Sequence, residues 1–564
     1  MYKRSFFLVC LIFFTYCKPK SNYPAIKKST LPEVDLFLIP HKFNILESQW
    51  ILSRGDASFN KKELIEHLKK YGRSLEDLKR DLKVKYREQE ETVILEVAKT
   101  SHSTDYPYDK SIPILFYGPR WFEKKVYFEK IDQQSIVPTL AKILQIRNPN
   151  GVETQAIPSL VNQIQSKQKP ELIVTIVIDQ GGHQYYNAHP GYYPNIQKLR
   201  EESAYFPNAE VGHLDAHTAV GHAAIGTGAY PRKNLVIGNT FFSIQDGKEI
   251  VSEIYAGKDE TQVRPDELAT ETLADVLDYE NEDKSEVISQ CYALRASIGM
   301  AGHGAFKLKN VSYVGDRDYV YWIDKNTKTW TTDLRYYNLP NFVSEYNMYK
   351  NFLQTYPHGW RSVNFKTEEE LQKNFSYLLA SPAQVRLEAE IFRRALKEIL
   401  IKRKIHQDGY TDLAYVTLKA TDAAGHNFGW ESLEARDTLE ETDRQVGLIL
   451  DLLKKEWGDS FILVLTADHG CAPLPEISGG KRMIVFDFIR EINTLLPEEV
   501  QNSNLNLVNW MTVGQVSLNR ELMQKYNISL KLIKEKILNM KVEGKPFFKN
   551  VILKEELEPN LVER

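Results

Sequence analysis

Three short apolar runs, each followed at once by acidic residues or histidine, constrain this chain more than any other feature. Leu172–Ile178 leads into Asp179, Ala414–Leu418 into Asp422 and His426, and Phe461–Thr466 into Asp468 and His469. Each run is continuous rather than alternating, as expected of a strand covered on both faces in a parallel sheet. Leu433–Lys455, between the second and third runs, has helical spacing of its apolar residues. Strand, helix and strand in alternation predict an α/β fold: a mostly parallel central sheet with helices on both faces. Ligands of such sheets sit beyond the carboxyl ends of the strands, so residues placed there converge.

The chain has 564 residues, more than one ordinary domain. Residues 171–480 read as the main catalytic core. Within them about 240–410, rich in Tyr, Trp and polar residues, reads as a cap insertion. The polar stretch 151–170 reads as a linker and 481–564 as the remainder of the same domain. Lys and Arg total 72 against 75 Asp and Glu. That balance gives no long-range pull toward a phosphate backbone, so no nucleic acid is expected as a stable partner. Residues 1–22 combine Lys3 and Arg4 with an apolar run, Ser5–Tyr16, too short to span a bilayer. They read as a signal segment, similar to a bacterial lipoprotein signal with the lipid on Cys17. The expectation is an exported protein, periplasmic or lipid-anchored at the cell envelope.

Cys291 and Cys471 are the cysteines beyond that segment, and there is no C-x-x-C pair. A zinc–thiolate site is excluded, and any metal must be held by His and carboxylate. A fourth stretch, VGHLDAHTAVGHAAIGTG, places Thr218 before a small-residue run that reads as a helix. A hydroxyl at a helix start beside a metal is an activated nucleophile in the making. Asp422 and His426, four apart on a helical turn, share one face.

TADHG, TD-x-x-GH and the Asp-Gln after the leading strand resemble the alkaline phosphatase superfamily. The nearest likeness is to its phosphate-irrepressible branch, with the nucleotide pyrophosphatase/phosphodiesterases as relatives. The resemblance implies Thr218 as nucleophile and, 21 residues on, Asn239 as a phosphate contact. It also implies two Zn²⁺, one held by Asp179, Thr218, Asp468 and His469, the other by Asp422, His426 and one more His; such ligands also take Mn²⁺ or Fe²⁺. The third His of the second site normally follows DHG, yet His469 is the last histidine here. Residues 99–118, KTSHSTDYPYDKSIPILFYG, resemble the family's closing segment, and IVPTLAKILQI after them its last helix. His102 then becomes the missing ligand, with Ser103 where the family has Gly. A circular permutation is implied: residues 23–150 carry the family's carboxyl-terminal part, and the chain near Arg564 should lie close to residues 25–40.

In YALRASIGMAGH, Arg295 falls on the Arg of the branch's Lys-x-Arg and Ala293 on its Lys. Arg295 can still make a two-toothed phosphate contact, whereas losing the Lys weakens the case for a doubly charged monoester. The reading is a two-metal phosphoester hydrolase with a phosphothreonine intermediate that water then hydrolyses, acting on a small phosphorylated substrate. Phosphate monoesters come first and phosphodiesters or nucleotide pyrophosphates second. An exported phosphoester-binding protein without catalysis is the alternative of another class. A sulfatase is disfavoured because Thr218-Ala219-Val220-Gly221 lacks the Cys or Ser with following Pro and Arg.

Overall fold

The computed structural model describes residues 34–47, 56–82, 86–95, 100–162, 164, 168–245, 248–257, 261–308, 314–361, 363–503 and 505–556. The 1–22 segment with Cys17, part of the 151–170 linker, residues 25–33 and Arg564 lie outside them. The strands that place the site are, in chain order, β1 (Leu36–Pro40), β2 (Ser111–Tyr117), β3 (Leu172–Ile178), β4 (Ala204–Glu210), β5 (Val287–Gln290), β6 (Tyr319–Ile323), β7 (Asp412–Leu418), β8 (Phe461–Thr466), β9 (Val508–Met511), β10 (Gln515–Leu518) and β11 (Phe548–Leu553). The helices around them are α1 (Ile136–Leu144), α2 (Thr218–Thr227), α3 (Leu294–Ala301), α4 (Pro382–Ala395), α5 (Ala420–Phe428) and α6 (Leu433–Trp457).

The central sheet runs β6-β5-β7-β3-β8-β2-β4, with short strands at Trp330–Thr331 and Lys125–Val126 along its edges. From β6 to β8 every pairing is parallel. β2 is antiparallel to both its neighbours. Side chains of β3 explain the continuous apolar run. Leu172, Val174, Ile176 and Ile178 enter one core with Leu439 and Val446 of α6 and Ile391 of α4. Ile173 and Val177 enter the opposite core with Ala223 of α2, Leu140 of α1 and Ile298 of α3. Burying each large aliphatic contributes about 1.5–3 kcal/mol, which ties both faces of the strand to the cores. Leu418 pairs with Ile178 and Thr466 with Val177, which brings three strands to one edge in register.

The stretch at about 240–410 is not one cap. β5 and β6 lie inside the central sheet, and α3 packs into the core beneath it. Val287–Gln290 is short and carries Ser289 and Gln290, both buried, so it lacks the apolar run that marks the other strands. Outside the sheet stand a hairpin, Thr240–Gln245 with Lys248–Glu253, and helices between Met348 and Lys373.

A second sheet, β9-β10-β1-β11, has its own core of Leu36, Phe488, Ile533, Phe548 and Val551. β1 pairs antiparallel with β10 and with β11, and Lys554 N–H donates to Asp35 O at 3.0 Å. Among the described residues no helix is long and apolar enough to cross a membrane.

Candidate metal and phosphoryl site

Asp179 leaves β3, Asp422 sits in the first turn of α5 after β7, and Asp468 follows β8. All three are buried. Asp468 Oδ1 accepts from the backbone N–H groups of Gln180 (3.0 Å) and His469 (2.9 Å). Its Oδ2, like Asp179 Oδ1, has no hydrogen-bond partner among the described residues. Buried carboxylate oxygens without donors are costly, and a cation removes that cost. His469 Nε2 lies 3.3 Å from Asp468 Oδ2 and 3.7 Å from Asp179 Oδ1. On the other side Asp422 Oδ1 is 3.2 Å from His426 Nε2 and 3.9 Å from His102 Nε2.

The three imidazoles share one arrangement. Nδ1 of His102 contacts Ala216 O (2.6 Å), Nδ1 of His426 contacts Thr100 O (2.9 Å) and Nδ1 of His469 contacts Gly470 O (2.8 Å). A carbonyl oxygen only accepts, so in each ring Nδ1 carries the proton and Nε2 presents its lone pair to the carboxylates. This is the outer hydrogen bonding that orients histidine ligands. His222 differs. Its Nδ1 contacts Thr218 O (2.7 Å) and its Nε2 Thr417 Oγ1 (2.8 Å), so both nitrogens are engaged although Asp468 Oδ2 is 3.5 Å away. It ties the start of α2 to β7 rather than offering a ligand.

Electrostatics in the site follow from burial and from the charged neighbours. Burial, then repulsion from Asp179, pushes Asp468 well above the carboxylate range, and burial raises Asp179 as well. Burial pushes Asp422 the same way, but Lys419 and then His426 outweigh it and hold the carboxyl well below its ordinary value. Burial lowers His469 to about 3 and carries His102 well below the usual imidazole range, keeping both rings neutral. Burial lowers His426 too, but Asp422 beside it outweighs this and raises its pKa above the ordinary value. Three carboxylates and three imidazoles whose Nε2 atoms face them, with the odd oxygens lacking donors, fit divalent metal ions.

Thr218 is the first residue of α2, and its Oγ1 lies 3.4 Å from His469 Nε2. Gly221 lets the helix approach this closely: a Cβ there would stand 2.5 Å from Asp468 O. Asn239 Oδ1 accepts from Ala219 N–H at 2.9 Å, which leaves its amide NH₂ as a donor toward the site. Arg295, in the first turn of α3, has a buried Nε without a hydrogen-bond partner among the described residues. With Thr218, Asn239, His102 and His426 it lines a cavity of about 230 Å³. All nine positions named from the sequence therefore lie in one place.

The profile of the family described as type I phosphodiesterase / nucleotide pyrophosphatase matches residues 173–562. The chain belongs to this family. Among relatives of this phosphodiesterase-family chain, alkaline phosphatase PhoV of Synechococcus elongatus is 28% identical over 357 residues, covering 57% of this chain and 63% of the relative. Alkaline phosphatase PafA of Elizabethkingia meningoseptica is 26% identical over 389 residues, 60% and 67% of the two chains. A member of the mouse ectonucleotide pyrophosphatase/phosphodiesterase family, number 7, is 40% identical over 62 residues, 10% of this chain and 14% of that protein. The chain spans about half to two thirds of the length of the curated alkaline phosphatases it matches. The crystal structure of wild-type PafA superposes with a TM-score of 0.51 at 21% identity, covering 68% of this chain and 85% of that one, so the fold is alkaline phosphatase-like.

Sequence reasoning missed Lys419, Gln180 and His217. Lys419 Nζ lies 2.8 Å from Asp179 Oδ2, 2.6 Å from Asp422 Oδ2 and 3.3 Å from Thr218 Oγ1. The signal was available: Lys419 directly follows a fully buried strand, the same position that singled out Asp179. Gln180 Nε2 donates to Asp422 Oδ1 at 3.0 Å. His217 precedes Thr218 and contacts Asp215 (2.5 Å) and Ser103 Oγ (2.8 Å). Ser103 holds φ of 92°, a left-handed conformation that suits the Gly of the family pattern.

Proposed function

We propose that this protein is a two-metal phosphoester hydrolase that works through a phosphothreonine at Thr218, with phosphate monoesters as its substrates. The observation that carries the reading is the placement of Thr218 Oγ1 within 3.4 Å of His469 Nε2, at the edge of a buried cluster of three aspartates and three oriented imidazoles. Asp179, Asp468, His469 and Thr218 would hold one ion, and Asp422, His426 and His102 the other. Zn²⁺ suits this donor set, which also accepts Mn²⁺ or Fe²⁺. When bound, the ions supply Lewis-acid stabilisation of charge on the attacking and leaving oxygens.

The chain's own groups do the rest. Thr218 Oγ forms a bond to phosphorus as its proton passes to solvent and the ester oxygen departs, leaving as the alcohol; water then breaks the phosphothreonine P–O bond, which returns a proton to Thr218 Oγ and releases inorganic phosphate. The amino end of α2 faces the phosphoryl group with its partial positive charge. The Asn239 amide, oriented by Ala219 N–H, and the Arg295 guanidinium donate to the non-bridging oxygens, where a phosphoryl-transfer transition state concentrates charge. Ala293, where the related branch has Lys, favours phosphodiesters as the second reading.

Two further parts of the proposal concern the chain as a whole. The order of segments is a circular permutation; supporting it, His102 and β2 precede β3 in the chain yet stand beside Asp422 and between β8 and β4. Export through the 1–22 segment, with attachment through Cys17, follows from the sequence pattern alone. The test is hydrolysis of p-nitrophenyl phosphate and its methyl diester by chelated and zinc-reloaded protein. Zinc-restored turnover favouring the monoester is the expected result; zinc-independent turnover, or none despite bound zinc, would sink it.

A further inference from the structure

The related branch grips the phosphoryl oxygens with Lys-x-Arg, and this chain has Ala293 where that lysine belongs. Ala293 is buried at the amino end of α3 and offers only a methyl group. The cavity nevertheless contains a second cation. Arg295 and Lys419 are the Lys and Arg residues that line it among the described residues. They approach from different elements, α3 and the end of β7. Lys419 is buried, and its ammonium lies 3.3 Å from the Thr218 hydroxyl.

We propose that Lys419 is a specificity-determining residue, supplying from the end of β7 the phosphoryl-binding charge lost at position 293 and so favouring dianionic monoesters over monoanionic diesters. The inference rests on the hydrolase reading given above. Position supports it. The ammonium is a compact point charge on a flexible stem, able to follow a phosphoryl oxygen that sits beside Thr218. Besides Asp179 and Asp422, the carboxylates assigned to the two metal ions, the ammonium contacts Thr218 Oγ1 itself, the oxygen that would carry the phosphoryl group. Charge supports it too. Three aspartates and a Thr218 alkoxide, set against two divalent ions, Arg295 and Lys419, leave about two positive charges, the complement of a phosphate dianion. Without Lys419 the balance matches a singly charged diester instead.

The experiment compares wild type with Lys419→Met, Lys419→Arg and Lys419→Met combined with Ala293→Lys. Three readouts are taken on zinc-loaded protein: bound zinc by elemental analysis, inorganic phosphate affinity by calorimetry, and the ratio of monoester to diester kcat/KM. Lys419→Met should weaken phosphate binding at least tenfold and lower the ratio at least tenfold, with zinc content equal to wild type. Lys419→Arg should keep the preference, and Ala293→Lys should restore it in the Met background. An equal loss on both esters, a changed zinc content, or a folded double variant without recovery would overturn the proposal. If Lys419→Met does not fold, Ala293→Lys alone decides. It should gain less than threefold in phosphate affinity where Lys419 already supplies the charge, and a gain above tenfold would overturn the idea. Wild type that turns over neither ester sinks the hydrolase reading, while the phosphate affinities still report on Lys419.

Discussion

The rings of His102 and His469 lie with their centroids 3.8 Å apart, inclined by 32°. They come from the two ends of the chain's catalytic segments, and each carries its Nδ1 proton on a backbone carbonyl. Two imidazoles this close cannot both be charged. Burial keeps them neutral, and neutral Nε2 atoms are what a divalent ion requires.

Replacing His102 with Ala should therefore remove one of the two metal equivalents and leave the other. Bound zinc should fall from two to one per chain by elemental analysis. Turnover should drop by more than about 100-fold, the upper end of the cost of losing an outer-sphere partner. Unchanged zinc with unchanged turnover would remove His102 from the site and, with it, the main support for the permuted order.

Thr218→Ala separates an enzyme from a binding protein. Turnover should fall by about 10³-fold or more, as for loss of a covalent nucleophile. Inorganic phosphate should still bind, because Asn239 and Arg295 are untouched. A variant that retains turnover would exclude the phosphothreonine.

The site was legible in the sequence where chemistry coincides with a strand end. Asp179, Asp422 and Asp468 each follow a run buried on both faces, and parallel register makes such positions converge. His102 could be found only by likeness to a family segment, since nothing local distinguishes it from a loop histidine. Lys419 was overlooked because a charged residue after a strand is ordinarily solvated, and its burial is a tertiary fact. β5 was hidden for a related reason. Ser289 and Gln290 interrupt its apolar pattern, and their burial is made acceptable by partners outside the strand, Ser289 donating to Ser297 O at 2.9 Å and Gln290 to Glu388 O at 2.8 Å.

Arg295 depends on the contact between α2 and α3. At Gly226 a Cβ would stand 2.2 Å from Gly299 O and 2.7 Å from Met300 Cα, backbone atoms that cannot swing aside. Gly226→Ala must push the helices apart. It should destabilise the protein by about 1–3 kcal/mol, the usual cost of overpacking, read as a lower urea midpoint. Because α3 carries Arg295, the KM for a phosphomonoester should rise in the same variant. A neutral effect on both would mean that the helices do not meet this closely.

Asp412 offers a test of stability against pH away from the site. It opens β7, its Oδ1 accepts from Glu286 N–H at 2.9 Å, and its Oδ2 is buried without a hydrogen-bond partner among the described residues. Burial raises its pKa from the ordinary 3.8 to about 8. The folded state thus holds this proton more tightly than the unfolded chain does. Its contribution to stability is complete below the unfolded value and is lost as pH rises through about 8. Asp412→Asn keeps the acceptor and removes the ionisation. The variant should match wild type near pH 4 and gain steadily on it toward pH 8, by about 1–3 kcal/mol, the cost of an uncompensated buried polar group. Urea unfolding at pH 4.5, 6.5 and 8.5 measures this, and a difference that does not grow with pH would mean that Asp412 is solvated in the folded protein.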